Sequence, residues 1–322
     1  MKIFSKNTIM LESSAMATTA ASPIPLTRYA WLSIAAAVVT ILLKLSAYFI
    51  TGSVGLLSDA LESFVNLAAA IVALIALSLA ARPPDEEFTF GYSKVEYFAS
   101  GFEGGMILLA AVAIIATAIP RLINPVPLEQ LGLGLVISMI ASLINLGVAL
   151  VLLNAGRKYN SITLESDAKH LLTDVWTTAG VLIGIALVWI TGIERLDPVV
   201  ALLVAANIIY TGYRLLTRSA RGLMDAAIPE KELQAVHTIL DAYQSDGVKY
   251  HALRSRRAAA RSFLAVHLLV PGNWTVKQGH QVAEEIESKV REVVPNTNIV
   301  THIEPEEDPR SWSDTDLDRS LP

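Results

Sequence analysis

The chain has 322 residues, 53% hydrophobic and only 17% charged, with a net charge of −5 and a mean hydropathy of +0.48. That balance is too apolar for an ordinary soluble domain and too acidic for a nucleic-acid binder, so nucleic acid is excluded as a partner and several membrane spans are expected. The lack of cysteine excludes a disulfide scaffold, thiolate metal ligation and cysteine catalysis, so a metal site must use His, Asp, Glu, Asn or backbone oxygens.

Residues 1–27 are rich in Ser, Thr and Ala and hold no continuous apolar core of signal-peptide length. They read as a disordered lead-in, in which Met10 or Met16 could equally be the start. Residues 28–222 then form a six-helix membrane domain. Its apolar stretches, Tyr29–Ile50, Val54–Ala80, Tyr97–Ile119, Leu131–Leu153, Leu171–Ile190 and Val199–Leu216, are each long enough to cross the roughly 30 Å hydrocarbon core. Lys2, Lys6, Arg28, Arg82, Lys94, Arg157, Lys158, Arg214, Arg218 and Arg221 fall on one side of the bilayer, and Arg121 and Arg195 on the other. The positive-inside rule then places both termini in the cytoplasm, and the expected location of this multi-pass chain is the cell (inner) membrane.

Residues 223–308 change character. A helical period in EKELQAVHTILDAY precedes the strands GVKYHALRSRR and SFLAVHLLV, the amphipathic helix TVKQGHQVAEEIESKVREVV and the strand TNIVTHIEP. The αββαβ order predicts a small cytoplasmic α+β domain, ferredoxin-like, with an antiparallel or mixed sheet. Residues 309–322 are polar and read as a disordered tail.

Two of the spans carry polar groups that lipid would reject. A charge at the bilayer centre costs about 2.5–3.5 kcal/mol even on lenient scales. SDALESFVN in the second span sets Asp59, Glu62 and Asn66 at i, i+3 and i+7, and the fifth carries Asp167, His170 and Asp174 at the same spacing. Each triplet makes one helical stripe, and two stripes at similar depth can face each other. Asp59 near the membrane boundary and Asp167 near a helix start, where the dipole favours an anion, suit structural roles. Glu62, Asn66, His170 and Asp174 as a set supply O, O, N and O donors, which fits a tetrahedral divalent ion. Their two carboxylates are neutralised either by such an ion or by protons, and that competition is the physical basis of antiport. Glu103 in the third span, close enough to the cytoplasmic end to be wet, Asn145 in the fourth and Lys44 in the first read as structural, Lys44 by snorkelling or by pairing with a carboxylate.

On these residues the chain resembles the cation diffusion facilitators. The resemblance rests on the six-span layout, on His170-x3-Asp174 facing an i, i+4 pair, on FGYSKVEYFASG and GLMDAAIPE, and on the histidine-bearing αββαβ module. It covers nearly everything from about Leu26 to Pro305. It implies a homodimer in the lipid bilayer, not an enzyme, that exports a divalent transition metal in exchange for protons. The implied transport site is Glu62, Asn66, His170 and Asp174. Its first pair departs from the commoner Asp-x3-Asp or His-x3-Asp, which leaves zinc favoured and iron, manganese, cobalt, nickel or cadmium open. A second site seen in many relatives is expected to be absent, because Phe88 and Tyr92 stand where histidines would accompany Asp85. Lys94 and Asp225 match a charge pair that ties relatives' dimers together. His251, His267, His280, His302 and Glu304 match the cytoplasmic ligand set, and His237 reads as surface. Two other readings stay open: an intramembrane metallo-hydrolase, disfavoured because no H-E-x-x-H motif appears, and a membrane-anchored metal sensor.

Overall fold

The computed structural model describes residues 26–51, 54–124, 132–193 and 195–313. Six long helices come first: α1 (Thr27–Thr51), α2 (Val54–Ala80), α3 (Val95–Ile123), α4 (Gly132–Tyr159), α5 (Ile162–Thr191) and α6 (Leu196–Leu223). At about 1.5 Å of rise per residue, every one exceeds the roughly 30 Å of hydrocarbon it would have to cross. Among the described residues, Thr27–Ser46, Val95–Ile123, Val136–Tyr159 and Pro198–Leu223 are also apolar enough to do so, and α2 adds the apolar stretch Asn66–Ala80. α5 is the longest of the six, but its first half carries Glu165, Asp167, Lys169, His170 and Asp174.

Packing explains how α5 tolerates that load. α3 runs along α6, α1 along α2 and α4 along α5, and α5 also touches α1, α2, α3 and α6. The polar first half of α5 is almost wholly buried by these neighbours, whereas Trp176, Ile183 and Ile190 further along face outward. Close approach is made by small side chains: Ala30, Ala149, Ala155 and Ala168 are buried beside Leu152, Leu164 and Leu171. In lipid, such backbone proximity replaces the hydrophobic drive between helices. The outer faces present Trp31, Leu42, Leu109, Leu143 and Leu203.

α5 also begins earlier than hydropathy suggests. Its apolar run starts at Leu171, yet the helix starts at Ile162, capped by Ser161, whose Oγ accepts from the Leu164 N–H at 3.4 Å. Asn160 takes a left-handed φ of +52° to turn the chain out of α4. Asp167 therefore lies in the second turn, and the expected role at a helix start falls to Ser161.

The C-terminal part follows the predicted order: α7 (Glu230–Ala242), β1 (Lys249–Ala258), β2 (Arg261–Val270), α8 (Val276–Val293) and β3 (Thr297–Pro305). The sheet runs β1-β2-β3, antiparallel between the first two and parallel between the last two, so it is mixed. Val236 and Leu240 of α7 and Ile286 and Val290 of α8 bury against Val266 and Leu268 of β2. Thr275 and Gln278 close a reciprocal cap at the start of α8. Pro309–Trp312, read from sequence as the start of a disordered tail, form a 3-10 turn instead. Ser311 Oγ donates to the Pro305 carbonyl at 2.8 Å and Trp312 Nε1 to that of Glu306 at 2.9 Å. The expectations for residues 1–25 and 314–322 fall outside the described residues.

Tyr97 of α3 joins the two parts. Its hydroxyl accepts the Ala259 N–H at 2.9 Å and donates to the Arg257 carbonyl at 3.4 Å. Its ring lies over Gly222, where a Cβ would come within 2.3 Å of the ring carbons. Only glycine fits there.

Candidate metal centres

Three helices each bring one polar residue to the middle of the bundle. Asn66 is the thirteenth residue of α2, Asp174 the thirteenth of α5 and Asn145 the fourteenth of α4, so all three sit near mid-depth. The Asn66 amide spans the pair on α5: its Oδ1 lies 2.7 Å from His170 Nε2, and its Nδ2 donates to Asp174 Oδ2. Asn145 Nδ2 donates to that same Asp174 oxygen at 3.3 Å. Asn66, Asn145, His170 and Asp174 are all buried. Asn66 on α2 thus faces the α5 stripe and touches both His170 and Asp174. Glu62 and Asp59 are on α2, but their side chains lie outside the described ones.

Glu103 was expected to be wet and is instead fully buried. Asn145, read as structural, hydrogen-bonds to Asp174. Asp167 is also buried and accepts from Ser33 Oγ of α1 at 3.2 Å. Lys44 is buried as well, at 8% exposure, which rules out snorkelling to water. Glu96 was not singled out, yet its carboxylate accepts from Ser161 Oγ and from the Thr163 N–H at 3.4 Å. A side chain of α3 thereby holds the start of the helix that carries His170 and Asp174. A glutamate next to an apolar run was the available signal.

The loop between α2 and α3 spends its carboxylate locally. Asp85 Oδ1 accepts the N–H groups of Glu87 at 3.1 Å and Phe88 at 2.7 Å, and Oδ2 accepts the Tyr92 hydroxyl. The Tyr92 and Phe88 hydrogen bonds hold the Asp85 carboxyl below the usual aspartate range. Lys94 Nζ meets Asp225 Oδ1 at 2.8 Å within the same chain, and Arg256 Nη1 meets that oxygen at 3.2 Å.

The second centre is a product of strand register. His251 on β1 pairs directly with His267 on β2, and His267 with His302 on β3, so three imidazoles form a row across the sheet. Their ring centroids are 5.1 and 5.0 Å apart, close to the ordinary interstrand spacing of about 4.8 Å. A bulge follows His251, with Ala252 at φ +49°. Glu304, two residues beyond His302 and therefore on the same face, turns its carboxylate back on the row. Its Oε2 lies 3.0 Å from His251 Nε2 and 3.3 Å from His267 Nδ1, and its Oε1 lies 3.3 Å from His302 Nε2. Tetrahedral zinc with bonds of about 2.0–2.1 Å separates its ligand atoms by roughly 3.4 Å. The His251, His267 and Glu304 donors, all within 4.8 Å of one another, therefore fit a metal. His280 is not part of this group: it sits exposed in the second turn of α8. Trp312 stands 6.0 Å from the His251 ring. His237, read as surface, is half-buried and sits 2.9 Å from the Tyr250 hydroxyl, which donates to Asp241 at 2.9 Å.

Known proteins share both parts. Residues 30–224 match the cation efflux transmembrane domain and residues 228–306 the cytoplasmic domain of cation efflux proteins. An uncharacterized transporter of Synechocystis sp. is 50% identical over 288 residues, covering 89% of this chain and 93% of its own length. The cation-efflux pump FieF of Klebsiella pneumoniae is 30% identical over 266 residues, 82% of this chain and 88% of the pump. The cation-efflux pump FieF of Salmonella arizonae is 30% identical over 272 residues, with 84% and 90% covered. The chain belongs to the cation diffusion facilitator family, whose members are membrane transporters that carry divalent cations outward.

Proposed function

We propose that the chain is a proton-coupled antiporter that exports a divalent transition metal, zinc first, from the cytoplasm by alternating access. One observation carries this reading: the buried Asn66 amide joins His170 and Asp174 near the middle of the bundle. An arriving ion would replace these mutual hydrogen bonds with bonds to Asn66 Oδ1, the His170 imidazole and the Asp174 carboxylate, with Glu62 as the fourth ligand. Two carboxylates cancel the charge of a divalent ion, and protons on the same groups cancel it once the ion has left. The site then stays near neutral in both states, which is what a low-dielectric bundle demands.

Orientation follows from charge. The basic ends of α4 and α6 lie on the side of the C-terminal domain, which supports a cytoplasmic placement for both termini in the cell (inner) membrane. In a homodimer, His251, His267, His302 and Glu304 would hold a second metal, and His280 could join them only by a rearrangement of α8. That centre also supports a second reading, in which the membrane part merely anchors a metal sensor.

Proteoliposomes carrying internal metal and pH dyes separate the two. Transport predicts zinc flux coupled to opposite proton movement, both lost in H170A and D174N. Zinc flux without proton movement would refute antiport. Metal binding with no flux in the wild type would support the sensor, and undiminished flux in both variants would remove the membrane site from the account.

A further inference from the structure

Between the ends of α4, α5 and α6 nearest the C-terminal domain and the start of α7 lies an open vestibule of about 940 Å³. Its wall holds six cations, Arg157, Lys169, Arg214, Arg218, Arg221 and Arg257, against two acids, Glu165 and Glu230. Some of this charge is answered within the chain. Arg218 pairs with Glu165. Arg257 Nη2 holds Glu232 at 3.1 and 3.2 Å, and Glu230 accepts from Gln234 at 3.1 Å. Arg157, Lys169, Arg214 and Arg221 have no carboxylate partner among the described residues. The Lys169 ammonium feels the attraction of Glu165 and, more weakly, the repulsion of Arg218, Arg214 and Arg157.

This is a strange wall for a protein that moves cations. The positive-inside bias accounts for basic residues at helix ends, but not for their convergence on one cavity. Like charges gathered round a concave space sum to a field that attracts anions. Basic pockets at the cytoplasmic ends of membrane helices are the usual receptors for acidic headgroups. Tyr210 and Tyr213 belong to the same wall at 59% and 64% exposure, and Arg214 lies 5.6 Å from the Tyr210 ring centroid. Amphipathic aromatics of that kind mark headgroup depth.

We propose that this vestibule binds the phosphate of an acidic phospholipid, with Arg157, Arg214 and Arg221 as its ligands and Lys169 as the innermost contact. The acyl chains leave past Tyr210 and Tyr213. Lys169 is the residue before His170, so a bound headgroup supplies the negative charge that offsets this wall on the approach to the membrane site. Only this last consequence rests on the transport reading; lipid binding stands without it.

The full-length chain, stripped of lipid in a neutral detergent, is titrated with phosphatidylglycerol, phosphatidylcholine or inorganic phosphate and read by native mass spectrometry. Phosphatidylglycerol should be retained over phosphatidylcholine, less so as salt is raised. R157Q/R214Q should lower its retention about tenfold or more, whereas R121Q/R195Q at the opposite membrane face should not. Equal retention of the two lipids, or retention untouched by R157Q/R214Q, overturns the proposal. Full displacement by millimolar inorganic phosphate overturns the lipid assignment in favour of a free anion. A photoactivatable phosphatidylglycerol on the wild-type chain removes dependence on variant folding. Crosslinks must fall on peptides bearing Arg157 or Tyr210–Arg221, and crosslinks confined elsewhere sink the idea.

Discussion

The membrane and cytoplasmic centres use the same kinds of donor and assemble them by opposite means. In the bundle, Asn66, Asn145, His170 and Asp174 come from three helices and hydrogen-bond to one another at the bottom of a tertiary packing problem. In the sheet, His251, His267 and His302 are lined up by register alone, and a single carboxylate serves all three. The difference follows from solvent. Lipid penalises every unanswered charge, so the polar groups of the membrane centre answer one another and lean on distant supports such as Glu96. Water at the sheet's edge lets imidazoles gather round a carboxylate with His302 still 60% exposed. The membrane centre should therefore fail when either its packing or the Asp174 carboxylate is lost, and the cytoplasmic one when the Glu304 carboxylate is lost.

The largest effect should come from D174N, which removes the charge that both asparagines contact. Zinc flux in proteoliposomes should fall roughly a hundredfold or more, while zinc titration of the cytoplasmic centre stays unchanged. A parallel loss at both centres would erase the contrast drawn above. E304Q makes the converse cut. Cytoplasmic zinc affinity by calorimetry should weaken about tenfold to a hundredfold, and flux at saturating metal should persist. N145A sharpens the membrane side, since a supporting hydrogen bond to a ligand is worth roughly tenfold in metal affinity. If N145A leaves zinc affinity intact, Asn145 reverts to a purely structural role. The smallest effect belongs to Y97F, which strands the buried Ala259 N–H and should cost about 1–3 kcal/mol in unfolding free energy, with flux in surviving protein retained.

Much of this was readable along the chain because its causes are local. Hydropathy runs located the helices, alternation located the strands, and the i, i+3 and i+4 spacing put polar groups on single stripes. The αββαβ order came from the same periodicities. The failures were equally systematic. Hydropathy started α5 at Leu171, because Asp167, Lys169 and His170 look like loop residues until a neighbouring helix shields them. Glu103 was assigned to water, since burial depends on what packs over it. Asn145 was set aside because one amide in an apolar helix has no partner visible in sequence.

The amino-acid order by itself determined which segments are helical, which residues can offer electrons to a cation, and which end of the bundle is basic, all matters of short-range periodicity and composition. Only the tertiary structure decided that α5 sits at the centre, that Asn66 and Asn145 share Asp174, that His280 stays apart from the sheet cluster, and that six cations converge on one cavity. Those outcomes depend on contacts between segments dozens of residues apart, and such distances are set by the packing of whole helices rather than by any spacing along one of them.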